Sequence, residues 1–515
     1  MIDQAMIDAT DLPDDIDVLK AMILVSGGRE ERHIDRIAQL EKLLADFKRA
    51  LFGTKSEKAN PGQFELALED IETAVESIQA AEEADDRQVE GKPRPRKANR
   101  GALPKHLPRI EEVIEPDSTT CNCGTERHVI GEDVSERLDI IPAQFQVIVT
   151  RRPKYACRSC EEGITQAAAP AHLIPGGMPT EATVAHVLVS KYADHLPLYR
   201  QAQIYSRQGI NLDRSTLAAW VGRAAFELRP VFDALIADLK RSSKLFMDET
   251  RAPVLDPGRK KTKTGYFWAL ARDDRPWRGD DPPGVAFTYA PGRSGKYADD
   301  ILEGFSGILQ VDGYAGYNRL LKRAEQDVEL AYCWAHARRK LYEVAQNAIA
   351  PIAEEGLKQI AALYRIEKEI RGQNPKARLA ARKAQSVPIL AAFETWLHQH
   401  RARVSAKSPL GEALKYIVKY WDGLNLFLTD GRVEMDSNAV ERTIRPIALS
   451  RKNALFAGHD AGAENWGIIA SMIETCKLNQ IEPHAYLTAT LAAIVNGHKQ
   501  SQINDLLPWN YVATV

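Results

Sequence analysis

Between Lys244 and about Leu330, four short runs of β character alternate with turns: LFMDET, GYFWALAR, GVAFTYA and GILQVDGYAGY. Helical patterns flank them, over Thr180–Leu239, residues 337–420 and Asp436–His498. Short apolar strands need cover, and helices before and after them supply it, which points to a mixed α+β architecture. At 515 residues the chain is too long for one small core, and about 150 residues per domain implies three or four domains.

The N-terminal part reads differently. Ile37, Leu40, Leu44, Phe47 and Leu51 lie three and four residues apart, on one a/d stripe of a helix over about Glu30–Leu51. That is the seam of a short coiled coil, or the buried face of an amphipathic helix packed on its own domain. Gly53 follows as a C-cap. Residues 61–91 then carry ten acids and one base, Arg87, while 92–109 carry seven bases and no acid. Pro93, Pro95, Pro104 and Pro108 forbid a regular helix in the basic stretch. It reads as an extended segment able to follow a phosphate backbone, or as a solvated tether.

Charge matters here because it is segregated. Overall, 68 Lys and Arg face 70 Asp and Glu, a net charge of −2. This excludes a uniformly cationic nucleic-acid coat but not localised basic surfaces. Residues 337–420 hold sixteen bases against seven acids, a local balance of +9. The acidic start MIDQAMIDATDLPDDID lacks the basic and apolar regions of a signal peptide. The longest uncharged stretch, Gly163–Thr180, is broken by proline and glycine. No transmembrane span is expected. These features suggest a cytoplasmic protein with reduced thiols.

Four of the six cysteines fall in residues 111–175. Cys121 and Cys123 form one close pair, and Cys157 and Cys160 form a C-x-x-C pair. Two such pairs can supply four thiolates to a structural zinc, with His128 as a substitute ligand. The alternative is a small metal-free module. Cys333 and Cys476 read as plain buried thiols. In Lys191–Val221, a helix to about Arg207, a turn at Gly209 and a second helix capped by Asp213 or Ser215 give a helix-turn-helix pattern. Arg214, Ser215 and Thr216 would then meet bases or phosphates.

Three acids stand out. Asp248 ends an apolar strand, Asp312 follows another, and Glu441 sits on a helix where Asn438 and Arg445 share its face. Two aspartates on strands and a glutamate on a helix can converge on two hard divalent cations, Mg²⁺ or Mn²⁺, which suit phosphodiester chemistry. Glu434 and Asp436 are the nearest rivals for the third position. His336, beside Arg338 and Arg339, reads either as a satisfied core or surface histidine or as one able to orient a scissile phosphate or a metal-bound water. Arg442 and Arg445 can clamp phosphates or pair along their helix.

Many motifs occur together in order: Leu51-Phe52-Gly53 with Lys55-Ser56-Glu57-Lys58, Leu103-Pro104-Lys105-His106-Leu107-Pro108-Arg109, Lys154-Tyr155-Ala156-Cys157 and His195-Leu196-Pro197-Leu198-Tyr199-Arg200. Further on stand Met247-Asp248-Glu249-Thr250, Gln310-Val311-Asp312-Gly313-Tyr314, Cys333-Trp334-Ala335-His336-Ala337-Arg338-Arg339, Asn438-Ala439-Val440-Glu441-Arg442 with Ile444-Arg445-Pro446, and Leu507-Pro508-Trp509-Asn510. Over most of its length the chain therefore resembles the IS66 family of insertion-sequence transposases, of the TnpC type. One departure is the C-x-C spacing of Cys121 and Cys123, where the family pattern is usually C-x-x-C.

The resemblance implies an RNase H-like α/β core with an Asp-Asp-Glu triad at Asp248, Asp312 and Glu441, interrupted by a helical insertion. The expected organisation is a coiled-coil helix (1–60), an acidic then basic linker (61–110), a zinc-finger-like module (111–175) and a helix-turn-helix region (176–243). The core (244–345 and 425–475), the insertion (346–424) and a helical tail (476–515) complete it. The implied activity is metal-dependent hydrolysis at transposon ends, followed by attack of the freed 3′-hydroxyl on target DNA. Implied partners are terminal inverted repeats, target DNA, a second copy of the chain or a higher oligomer, and accessory proteins of the same element, in the bacterial nucleoid. Other readings are a DNA-binding regulator with a decayed core and a nuclease that only cleaves.

Overall fold

The computed structural model describes residues 15–20, 109, 144–156, 164–256, 261–322, 327–347, 349–454 and 457–512. The chain divides into two compact units, 1–149 and 150–515. In the first unit, residues 16–20 are helical, and the Asp15 carboxylate accepts the amide of Asp17 at 2.9 Å. The coiled-coil stripe, most of the charged stretches, His128 and Cys121, Cys123, Cys157 and Cys160 lie outside the described residues.

The second unit opens with an antiparallel ribbon, β1 (Lys154–Ala156) and β2 (Ile164–Gln166). Helix α1 (Glu181–Tyr192) follows, its N-terminus capped by the Thr180 hydroxyl accepting the Thr183 amide at 3.2 Å. The single helix expected up to Arg207 is in fact two. Residues 193–197 leave helical geometry, His195 takes a left-handed φ of 59°, and Pro197 cannot donate to the preceding turn. Helix α2 (Leu198–Arg207) then runs to Gly209, whose φ of 80° suits a residue without Cβ. Asp213 stands at the N-cap of α3 (Arg214–Lys240). This helix is far longer than a short recognition helix. It buries Leu217, Trp220, Ala224, Leu228, Val231, Leu235 and Leu239 at helical spacing.

Next come β3 (Lys244–Asp256), β4 (Lys261–Arg272), β5 (Gly284–Ala290), helix α4 (Gly295–Ile301), β6 (Gly307–Val311) and β7 (Val328–Tyr332). They form one mixed sheet in the order β5-β4-β3-β6-β7. β5, β4 and β3 are antiparallel, and β3, β6 and β7 are parallel. Leu245, Phe246 and Met247 are consecutive and all fully buried, which marks β3 as a central strand covered on both faces. Pro253 lies in the distal half of β3, where only β4 runs alongside as a strand. A missing amide is tolerated there.

Helix α5 (Trp334–Asn347) leads into α6 (Pro351–Ile370), α7 (Pro375–Ala381), α8 (Val387–Arg403), α9 (Pro409–Lys419) and α10 (Trp421–Asn425). One π-helical turn, Arg382–Ser386, joins α7 to α8. These helices enclose a second apolar core around Trp334, Phe393 and Trp421. Phe393 stacks on Trp421 at 6.0 Å, and Trp334 meets Phe393 edge-on at 5.6 Å. Helix α11 (Asn438–Ala454) returns across β3 and β4. Helix α12 (Asp460–Leu478) packs on β5 and α3, and α13 (Pro483–Val495) packs on α1. The boundary expected after residue 475 falls inside α12. No described helix is long and apolar enough to cross a membrane.

Candidate metal centre

The parallel pairing of β3 with β6 sets the site. Leu245 is level with Leu309 and Phe246 with Gln310. Two residues further, the same register brings Asp248, inside β3, level with Asp312, just past the carboxyl end of β6. Ligand oxygens of Asp248, Asp312 and Glu249 lie within 4.8 Å of one another. Backbone amides hold both aspartates: Glu249 donates to Asp248 Oδ1 at 2.8 Å, and Tyr314 donates to Asp312 Oδ1 at 2.8 Å.

Glu249 has a different part. Its side chain is fully buried. It accepts Arg293 Nε at 2.6 Å and the Tyr317 hydroxyl at 2.8 Å. Arg293 also lies 4.2 Å over the Tyr314 ring, and the Tyr314 hydroxyl donates to the Arg293 carbonyl. Glu249 thus ties β3 to the segments after β5 and β6. Asp248 and Asp312 are left as the unpaired acids of the cluster. No sequence pattern separated Glu249 from a surface charge. Its one signal was its place beside Asp248.

Burial raises the Asp248 carboxyl well above the ordinary range, and the charges of Glu249, Asp312 and Glu441 add to the effect, opposed by the Glu249 amide. Burial also raises Glu249, against Tyr317 and Arg293. Such a cluster favours a proton or a cation. Hard carboxylate oxygens this close fit Mg²⁺ or Mn²⁺.

Glu441 stands on α11, whose buried face carries Val440, Ile444 and Ile447, and its charge is felt at Asp248. Its carboxylate accepts the Ser437 hydroxyl at 3.3 Å and lies 3.9 Å from His336 Nδ1. Its ligand oxygen groups with Cys333 and His336, all within 4.8 Å, rather than with the two aspartates. The rivals are engaged elsewhere. Glu434 Oε1 is 2.8 Å from Arg378, and Asp436 accepts the amide and side-chain nitrogen of Asn438 at 3.1 and 2.8 Å. Arg442 lines a separate cavity of about 90 Å³ with Asp273, Arg371, Glu434, Asp436 and Asn438. Arg445 is exposed on α11. Arg338 stacks 5.5 Å from the Tyr342 ring, and Arg339 is exposed. At the start of α3, Arg214 and Ser215 are exposed and Thr216 half-buried.

The family model for the transposase IS66 family matches residues 176–465, more than half of the chain. The chain belongs to this family. Further models match around that region: the zinc-finger binding domain of transposase IS66 over 118–161 and the IS66 C-terminal element over 471–509. Transposase C of IS166 homeodomain matches 39–111, running on through the stretches read from sequence as linker. Two uncharacterized proteins of Sinorhizobium fredii, y4qI and y4jD, are each 42% identical to it. They align over 97% and 98% of this chain and 98% and 97% of their own lengths. A third, y4hP, is 38% identical over 92% of this chain and 89% of its own.

Proposed function

We propose that this IS66-family chain is a DNA transposase that cleaves phosphodiesters at the ends of its element and joins the freed 3′-hydroxyl to target DNA. The observation that carries the reading is the pair Asp248 and Asp312 on neighbouring parallel strands, with the charge of Glu441 reaching Asp248 from α11. The strand order β5-β4-β3-β6-β7, three antiparallel strands and two parallel, supports an RNase H-like core. Two divalent cations, when bound, would polarise the attacked phosphate and stabilise the leaving oxygen.

The chain's own residues do the rest. Asp248 and Asp312 hold the cations, with their carboxylates fixed by the Glu249 and Tyr314 amides. Glu441 completes the ligand set. His336, Arg338 and Arg339 at the start of α5 face the scissile strand. Arg214, Ser215 and Thr216 at the exposed start of α3 contact element ends, together with the zinc module and the basic stretch before it. Two protomers, paired through the N-terminal helix, bring two ends together in the cytoplasm.

The test is strand transfer from a pre-cleaved element end in Mg²⁺ or Mn²⁺, comparing the wild type with Asp312→Asn. Joined products from the wild type alone are expected. Equal behaviour of the two proteins would sink the enzymatic reading, and cleavage without joined products would reduce the function to a nuclease.

A further inference from the structure

Beside the carboxylate pair stands a second donor cluster of different chemistry. Cys333 Sγ, a ring nitrogen of His336 and a carboxylate oxygen of Glu441 lie within 4.8 Å of one another. Three local features bring them together. Cys333 is the single residue between β7 and α5, and His336 lies in the first turn of α5, its amide donating to the Cys333 carbonyl at 3.2 Å. Ser437 joins the other side: its amide donates to Cys333 Sγ at 3.3 Å and its hydroxyl to Glu441 Oε1 at 3.3 Å. His336 Nδ1 is itself a buried atom with no hydrogen-bond partner.

A buried polar atom is normally satisfied. An orphaned imidazole nitrogen facing a carboxylate and a thiol is the donor set of a borderline-soft cation. An amide donating to the sulfur and a hydroxyl donating to the carboxylate are the outer contacts that ligands of such ions receive. Zinc bonds of about 2.0–2.3 Å put tetrahedral ligands roughly 3.5 Å apart. The 3.9 Å from His336 Nδ1 to Glu441 Oε1 is a few tenths of an ångström from that spacing. Cys333 is buried, whereas the side chains of His336 and Glu441 keep 25% and 28% of their exposure. An ion can therefore enter from the solvent side, with water as its fourth ligand.

We propose that Cys333, His336 and Glu441 form a second cation site, selective for thiophilic divalent ions such as Zn²⁺, and that filling it withholds Glu441 from Asp248 and Asp312. The site itself rests on geometry alone. Its inhibitory consequence rests on the transposase reading. Hard cations have no use for the sulfur, so the two sites divide the available ions between them, with Glu441 as the shared ligand.

The probe is Co²⁺, added to full-length protein that carries one zinc per chain and no free zinc. A sulfur-to-cobalt charge-transfer band from one further ion is expected in the wild type and in Cys476→Ala. It should vanish in Cys333→Ser. If that variant fails to fold, His336→Gln carries the test, keeping the sulfur band but weakening cobalt binding at least ~10-fold. In strand-transfer reactions at fixed Mn²⁺, Zn²⁺ should inhibit the wild type. The half-inhibiting concentration, taken relative to each variant's own uninhibited rate, should rise at least ~10-fold in Cys333→Ser. No band in the wild type, or a band that survives Cys333→Ser, overturns the proposal. A Cys333-dependent band in a protein without strand transfer would uphold the site and refute the transposase reading.

Discussion

Replacing Asp248 by asparagine should make the cation-free protein more stable. Asp248 and Asp312 present oxygens no more than 4.8 Å apart. For two unit charges at that separation and an effective dielectric of ~20, the repulsion is about 3 kcal/mol. Part of it is already relieved, because burial and the neighbouring acids raise the Asp248 carboxyl well above its ordinary value of 3.8 and it takes up a proton more readily. Asparagine removes the remainder and keeps an oxygen to accept the Glu249 amide, now at 2.8 Å. A gain of about 1–3 kcal/mol follows, which for a unit of this size shifts the apparent Tm by roughly 2–6 °C. The pH dependence has a fixed sign. With its folded pKa raised, Asp248 favours the fold most below the unfolded value, and that contribution is lost as pH rises through the folded pKa. Asp248→Asn should therefore flatten the fall in stability above pH ~4. Divalent cation should raise the Tm of the wild type, by about 2.7 kcal/mol of stabilisation at a hundredfold excess over Kd, and do much less for the variant. Thermal melts with and without Mn²⁺ across pH measure all three. A variant whose cation-free Tm matches the wild type, or which gains as much from Mn²⁺, would refute the account of a strained carboxylate pair.

Three further outcomes are expected. Gly313→Ala would set a Cβ 2.6 Å from the Tyr416 hydroxyl and 2.7 Å from its ring; it should cost about 1–3 kcal/mol and slow strand transfer more than DNA binding, and Tyr416→Leu in the same chain should restore part of the rate. Arg382→Met should destabilise helices α6–α10 by about 3–5 kcal/mol, because it removes the fully buried arginine that holds Glu367 with two nitrogens, and limited proteolysis should show earlier cutting within residues 351–437. Mercurial titration should release one structural zinc per chain from the wild type, and native mass spectrometry should find that ion missing in Cys157→Ser; retention of the zinc would remove Cys157 from the ligand set.

Much of the sheet was readable from the sequence because its strands announce themselves by short-range pattern. LFMDET opens β3, GYFWALAR ends β4, GVAFTYA is β5 and GILQV is β6. β7, Val328–Tyr332, carries an exposed Glu329 among apolar residues and no flanking glycine, so no short-range pattern marks it as a strand. Asp248 and Asp312 could be found because each ends an apolar run, although β3 continues past Asp248 to Asp256. The places of Glu249 and Cys333 could not, since both depend on contacts far along the chain: Glu249 with Arg293 and Tyr317, Cys333 with Ser437. Summing charge over 337–420 also overstates the surface available to DNA. Arg378 and Arg382 are 1% and 0% exposed and are spent on Glu367 and Glu434.

The second of these arginines gives helices α6–α10 a role that their charge alone would hide. Arg382 holds Glu367 with two nitrogens, at 2.8 and 2.7 Å. It also donates to the carbonyls of Phe427, Asp430 and Val433 at 2.9, 3.1 and 2.9 Å. These carbonyls belong to the strap that runs from α10 to α11. From the sheet side, Gln310 in β6 pairs with the Glu434 backbone, accepting its amide and donating to its carbonyl, both at 2.9 Å. The Trp334 amide donates to the Met435 carbonyl at 3.0 Å. The strap is therefore gripped by the turn between α7 and α8 on one side and by β6 and α5 on the other, and it ends at Ser437, whose amide and hydroxyl contact Cys333 and Glu441. A fork whose every donor is spoken for has one low-energy position. The start of α11, and with it the reach of Glu441, is set by the interior of helices α6–α10 as much as by the sheet that carries the aspartates.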